Sequence, residues 1–174
     1  MILEGLLQFD NAASLVHATG TYTSTNVLDL GLVGLPTSAG GGGARDLGIG
    51  DDPALKMLVQ IATTVAGAGA TLQVVLQGAP DNGSGAPGTW ASWWASPVYA
   101  LASLVQGARL YDMDLPRPPL DQPIPRFLQL NYVVGGASIT AGAISSFIVL
   151  DRMDQPEQAN AVMGGYPPGL TISN

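Results

Sequence analysis

Few side chains in this sequence could carry out a reaction. His17 is the single histidine, and Ser14 and Asp10 stand close enough along the chain to complete a nominal Ser-His-Asp set. That chemistry needs a nucleophile elbow, which does not surround Ser14, so a structural role for His17 is expected. Asp112 and Asp114 would share one face of a strand, and Asp46, Asp51 and Asp52 cluster in a loop. Their oxygens suit calcium, but neither group has EF-hand spacing, and solvated or interface carboxylates are expected. Whether any two acids could hydrolyse a glycoside depends on their separation in space. The glycine run at 40–43 is followed by no Lys-Ser or Lys-Thr, and Gly67-x-Gly69 precedes a strand without a third glycine, so neither matches a nucleotide-binding loop. Trp90, Trp93 and Trp94 could stack on sugar rings, although core or interface anchoring is the commoner use of such a cluster. No catalytic residue, cofactor ligand or metal ligand is assigned, and no enzyme activity or cofactor is expected.

Composition narrows the remaining classes. The 174 residues suit one domain with its own core. There is no cysteine, which excludes a disulfide framework, a thiolate metal site and a cysteine nucleophile. Thirteen acids against six bases give a net charge of −7 and a pI near 4.2. Without a basic stripe to neutralise phosphates, direct nucleic-acid binding is not expected. Charged residues make up 11% of the chain, against about 25% in ordinary soluble domains. With a mean hydropathy of +0.28, much of the outer surface must be neutral. Three uncharged stretches, 57–80, 82–108 and 127–150, break into short segments around glycines, glutamines and prolines, so no membrane span is expected. Such a neutral surface points to self-association or a larger assembly. The start, MILEGLLQFD, has no basic n-region and does not read as a secretory signal, so an intracellular product is expected.

The elements that would position these residues read as strands. Residues 126–151 show the clearest two-residue period, with Leu128, Leu130, Tyr132 and Val134 on one face. Gly135-Gly136 supplies a turn, and a second apolar run follows whose phase slips near Gly142-Ala143; this predicts a β-hairpin with a bulge. Leu55, Met57, Val59, Ile61 and Val65 share a face, Gly67-Ala68-Gly69 turns the chain, and Leu72, Val74 and Leu76 face inward, predicting a second hairpin. Tyr22 to Leu30 reads as one strand, and a strand near 111–115 would set Tyr111, Met113 and Leu115 on one side. Pro116 to Pro125 must be an extended surface connection. The expected fold is all-β: a jelly-roll β-sandwich over 21–151, with extended loops, an N-terminal arm or edge strand over 1–20 and a C-terminal arm over 152–174.

Several blocks, MILEGLLQFDNA at the start, STNVLDLG at 24–31, ARDLGIGDDP at 44–53, PRFLQLNYVVGG at 125–136 and TAGAIS at 140–145, resemble the capsid cement, or decoration, proteins of tailed bacteriophages. The blocks are scattered over most of the chain and contain no catalytic motif. The resemblance implies a jelly-roll virion protein, made in the host cytoplasm, that forms homotrimers on the outer capsid surface. There it would bind the major capsid protein across capsomer junctions and stabilise the head against internal DNA pressure. The glycine insertion around 34–43 and the tryptophan segment depart from that pattern. The glycine loop, the proline link and both termini are the expected contact elements, and loss of 1–20 or 152–174 is expected to weaken capsid binding more than the core. The alternative is a carbohydrate-binding jelly-roll module of a phage fibre or surface structure.

Overall fold

The computed structural model describes residues 7–31, 55–117, 119, 121–122 and 125–150. In them the period-two runs become strands: β1 (Gln8–Ser14), β2 (Gly20–Thr23), β3 (Leu28–Asp29), β4 (Leu55–Ala66), β5 (Thr71–Ala79), β6 (Ala91–Ala95), β7 (Tyr99–Ala100), β8 (Arg109–Asp114), β9 (Phe127–Gly135) and β10 (Ala141–Leu150). One sheet has the order β1-β10-β4-β8. The other has the order β2-β9-β5-β6, with β3 continuing the β2 side along β9 and β7 continuing the β6 side along β5. Every pairing is antiparallel. Counting each broken strand once gives four strands per sheet, with the chain crossing repeatedly between them. This is the jelly-roll arrangement.

The inner faces meet where alternation placed them. Met57, Val59, Ile61 and Val65 of β4 pack in one core with Leu72, Val74 and Leu76 of β5 and Leu128, Leu130, Tyr132 and Val134 of β9. Both predicted hairpins are corrected, however. β9 and β10 lie in different sheets, as do β4 and β5. Their glycine turns are crossovers that carry the chain over the end of the sandwich. A Cβ on Gly67 would stand 2.4 Å from the Ser138 carbonyl oxygen, and one on Gly136 would stand 2.2 Å from that of Gly69. The two crossovers are thus packed backbone to backbone, and both glycines have positive φ.

The expected irregularity in β10 is present, with register shifts between Ala141, Ala143 and Ile144 where the strand meets β4. The additional residues lie on β4, however, and on β1 across the other side. Tyr22 to Leu30 is two strands instead of one, because Ser24–Val27 leaves the ladder between them. On β8, Leu110, Tyr111 and Leu115 are buried, while Met113 is 61% exposed and does not share their environment. That strand has a neighbour on one side only, so its outer half is not held in the core. The described part of the proline-rich connection, as expected, contains neither strand nor helix.

Of the two expectations for residues 1–20, an arm or an edge strand, the described part takes the second, and the sandwich therefore begins before residue 21. Residues Gln8–Ser14 form the edge strand of the first sheet, and Phe9 and Leu15 are fully buried in the core. Residues 32–54, including the glycine loop with Asp46, Asp51 and Asp52, and the tail 151–174 lie outside the described residues.

A register shift between Leu76 and Gln77 bulges β6 and turns consecutive tryptophans, Trp93 and Trp94, toward the core. Trp94 meets Tyr111 edge-on at 4.4 Å between ring centres, linking the edge strands of the two sheets. Trp93 fills the place where Gly78 lacks a side chain, for a Cβ there would come within 2.3 Å of the indole ring. Gly78→Ala should therefore push the ring aside and cost about 1–3 kcal/mol by overpacking. A lower unfolding midpoint together with an altered tryptophan emission maximum would confirm it; an unchanged pair would show that the ring has room.

Candidate functional site

Asp10, Ser14 and His17 do not assemble into a reactive set. Asp10 is 1% exposed, inside the sandwich, where its Oδ1 accepts hydrogen bonds from Thr25 N–H (2.8 Å) and Thr25 Oγ1 (2.7 Å). Its Oδ2 accepts from the Tyr132 hydroxyl (2.5 Å) and from Ser146 Oγ (3.1 Å). Tyr132 and Ser146 also bond each other at 2.8 Å. Burial, and then the neighbouring Asp10, pushes the Tyr132 phenol well above its ordinary range, so it remains a donor. Ser14 Oγ accepts from Val16 N–H, and the His17 ring stacks on Tyr22 at 3.9 Å. This buried cluster joins β1, β9, β10 and the link after β2; it is a polar clamp within the core.

The two acids of β8 differ in their surroundings. Asp112 pairs with Arg109 at 3.0 Å, while Asp114 on the same strand is exposed. No group of three or more potential metal-ligating residues occurs among the described residues. Trp93 and Trp94 pack against the core, so their rings are not laid out as a flat outer platform.

Sequence reasoning gave no role to Arg126, which proves to be the centre of an ionic latch. Its Nε and Nη2 hold the two carboxylate oxygens of Asp29 at 2.8 and 2.9 Å, and its Nη1 reaches Asp81. The guanidinium also lies over the Phe127 ring, 4.9 Å from its centre. The latch fastens β3 and the turn after β5 to the start of β9. Signals for it were present only as isolated charges far apart in sequence.

Asp81 is held below its ordinary carboxyl range chiefly by the Gly85 N–H; Gly83 N–H and Arg126 add to this, against a desolvation that pushes the other way. The sign follows from the depressed folded value: the contribution to stability is present above the ordinary value of 3.8 and is lost as pH falls through the folded value. In a series of denaturant melts, stability should begin to fall below about pH 4. Asp81→Asn should remove part of that fall, and an identical pH profile for the variant would contradict the assignment.

Charge is divided between the two sheets. Asp29, paired with the Arg126 that also holds Asp81, is the single Asp, Glu, Lys or Arg in the strands of the β2-β9-β5-β6 sheet. The other sheet carries Asp10, Lys56, Arg109, Asp112 and Asp114. The neutral sheet turns Gln73, Val75, Gln77, Gln129, Asn131 and Val133 outward, opposite the inward residues of β5 and β9. Gln77 Oε1 accepts from Gln129 Nε2 at 2.9 Å and from Asn131 Nδ2 at 2.8 Å. Gln77 Nε2 in turn donates to Ser92 Oγ at 3.2 Å, so one amide row crosses three strands.

The crossover end continues the neutral surface. The links 15–20, 66–70, 96–108 and 135–140 contain no Asp, Glu, Lys or Arg. They pack together: Ile139 N–H donates to the His17 carbonyl and Thr140 N–H to that of Ala66, while Val65 N–H at the end of β4 donates to that of Leu104. Val16, Val98 and Val105 are exposed by half or more on these links.

The model of the Bbp16 family matches residues 12–148, which is most of the chain and nearly the whole described sandwich. The chain belongs to the Bbp16 family. This family is phage-associated, which agrees with the bacteriophage part of the resemblance read from the sequence blocks. No curated protein matches the chain. The matched span of this Bbp16-family chain includes the Arg126 latch and Thr25, Tyr132 and Ser146 of the buried clamp, with Asp10 itself just before it. No helix among the described residues is long and apolar enough to cross a membrane.

Proposed function

We propose that this Bbp16-family chain is a capsid cement protein. It binds the outer surface of the icosahedral head across junctions between coat-protein capsomers and performs no reaction of its own. The observation that carries this reading is the charge-poor outer face of a jelly roll that belongs to a phage-associated family, in which the one strand carboxylate, Asp29, is paired with Arg126. A sandwich laid across a subunit boundary adds interface that must be broken before the shell opens, so binding favours the closed shell by mass action. Two devices suit the sandwich to bearing load between subunits: the buried clamp at Asp10 and the ionic latch at Arg126. The net charge of −7 keeps the protein from competing with the coat for packaged DNA.

The test is reconstitution. Heads prepared without this protein are mixed with the purified chain, pelleted and heated. The chain should co-sediment to a saturating ratio and raise the temperature at which DNA is released. A chain that stays in the supernatant, with heads that release DNA at the same temperature, would overturn the proposal. A glycan array run alongside should give no signal; binding there without binding to heads would favour the carbohydrate-binding reading.

A further inference from the structure

We infer that the Asn82-Gly83 peptide is a self-modifying site, where the Asn82 side chain closes on the Gly83 nitrogen to a succinimide that water opens to an aspartyl or β-aspartyl residue. The site lies in the turn after β5 and does not rest on the cement reading. Asn82 is the one asparagine in the chain that precedes a glycine. Asn82, Gly83, Ser84 and Gly85 are all exposed. Nothing lies within 4 Å of the place a Gly83 Cβ would occupy, so the Gly83 peptide is open both to water and to the approaching side chain.

The argument is the arrangement of donors and acceptors around the reacting atoms. Gly83 N–H, whose nitrogen is the nucleophile once the proton is gone, donates to Asp81 Oδ1 at 2.7 Å. The Asp81 carboxylate is therefore in place as a general base. Negative charge gathers on Asn82 Oδ1 when its Cγ is attacked. That oxygen already accepts from Ser84 N–H at 2.9 Å and Ser84 Oγ at 2.7 Å, with Ala86 N–H further off at 3.4 Å. These donors form an oxyanion hole within one loop. Gly85 N–H and Arg126 fix the Asp81 carboxylate from other sides. The neck of the loop is closed by Gly88 N–H on the Pro80 carbonyl and Asn82 N–H on that of Ala86, so the groups are positioned before reaction. Gly85 N–H, with Gly83 N–H and Arg126, holds the Asp81 carboxyl below its ordinary range. Asp81 is thus ionised at neutral pH but a weak base, which makes the reaction slow.

In the first step a bond forms between Gly83 N and Asn82 Cγ, and the Asn82 Cγ–Nδ2 bond breaks. The Gly83 proton passes to Asp81 and from there, through solvent, to the departing nitrogen, which leaves as ammonia. Water then adds to one of the two succinimide carbonyls. Attack at one gives an aspartyl residue, and attack at the other gives a β-aspartyl linkage. Both products place a second carboxylate beside Asp81. The β-aspartyl form also adds an atom to the backbone of the loop that presents Asp81 to Arg126. The ionic latch therefore alters with the age of the protein.

The experiment incubates the purified full chain in two forms, native and unfolded in guanidinium chloride, and follows position 82 by peptide mapping with mass detection. The peptide should lose the mass of one ammonia and then gain that of one water. The native chain should lose Asn82 at least about tenfold faster than the unfolded one. Between about pH 5 and 7 the native rate should stay nearly level, because Asp81 is ionised throughout, while the unfolded rate should climb roughly tenfold per pH unit with hydroxide. Asp81→Asn keeps an acceptor for Gly83 N–H but removes the base, and should bring the native rate down to the unfolded value. Ser84→Ala removes one donor to the oxyanion and should slow the reaction severalfold. Thermal melts establish that each rate is read on a folded chain. Asn82 that survives in the native chain as long as in the unfolded one would overturn the inference. Folded variants that react as fast as the wild type would also overturn it, because the reaction would then belong to the Asn-Gly dipeptide alone.

Discussion

Asp10→Ala should lower the unfolding free energy by about 3–5 kcal/mol, the range for breaking a buried charged or hydrogen-bonded cluster by removing one partner. The side chain accepts four hydrogen bonds inside the core, from the Thr25 backbone and hydroxyl, from Tyr132 and from Ser146. Alanine would leave those donors without their shared acceptor inside the core. Against a total stability of roughly 5–15 kcal/mol for a domain, that loss is large. Ser146→Ala should cost less, about 1 kcal/mol, because Tyr132 and Thr25 still serve the carboxyl group. Urea unfolding followed by tryptophan fluorescence gives both numbers. An Asp10→Ala loss below the Ser146→Ala value would mean that the cluster does not hold the two sheets together.

Deletion of residues 1–20 should abolish cooperative folding, against the expectation drawn from the sequence that it would weaken capsid binding more than the core. The deletion removes all of β1 and with it Phe9 and Leu15, both fully buried, as well as Asp10. Truncating a single buried phenylalanine typically costs about 3–5 kcal/mol. Together with a lost leucine and the clamp, the sum reaches the whole stability of a typical domain. It would also strip β10 of one neighbour and expose a new sheet edge. Circular dichroism melts and solubility of the truncated chain test this directly. A cooperative transition at the wild-type midpoint would restore the arm interpretation, and any loss of head binding could then be read as a contact effect. Without such a fold, binding assays on this truncation would report unfolding alone.

The two experiments bear on function through rigidity. β1 lies at the edge of the sheet that carries the exposed charge, while Tyr132 stands on a central strand of the neutral sheet. The Asp10 clamp therefore couples the charged sheet to the neutral one. Loosening it should affect any load-bearing contact even where the contact residues themselves are intact.

Strand identity was written locally. Alternation along β4, β5 and β9 identified the inward residues correctly because successive side chains on a strand point to opposite faces whatever its neighbours are. The phase slip near Gly142 likewise fell where the β10 ladder is irregular, although the additional residues belong to β4 and β1, whose own alternation did not single them out. Composition announced a neutral surface and a chain poor in reactive groups. Pairing was a different matter. A strand before a glycine turn alternates in the same way whether the next strand lies beside it or in the opposite sheet, so two crossovers read as hairpins. β10 instead pairs with β1 and β4, across long stretches of chain. The same non-locality concealed Asp10, an acid that looks like surface in QFDNA until Thr25, Tyr132 and Ser146 converge on it. It also concealed the grouping of the neutral strands into one sheet, because charge-free segments become a face only when topology sets them side by side.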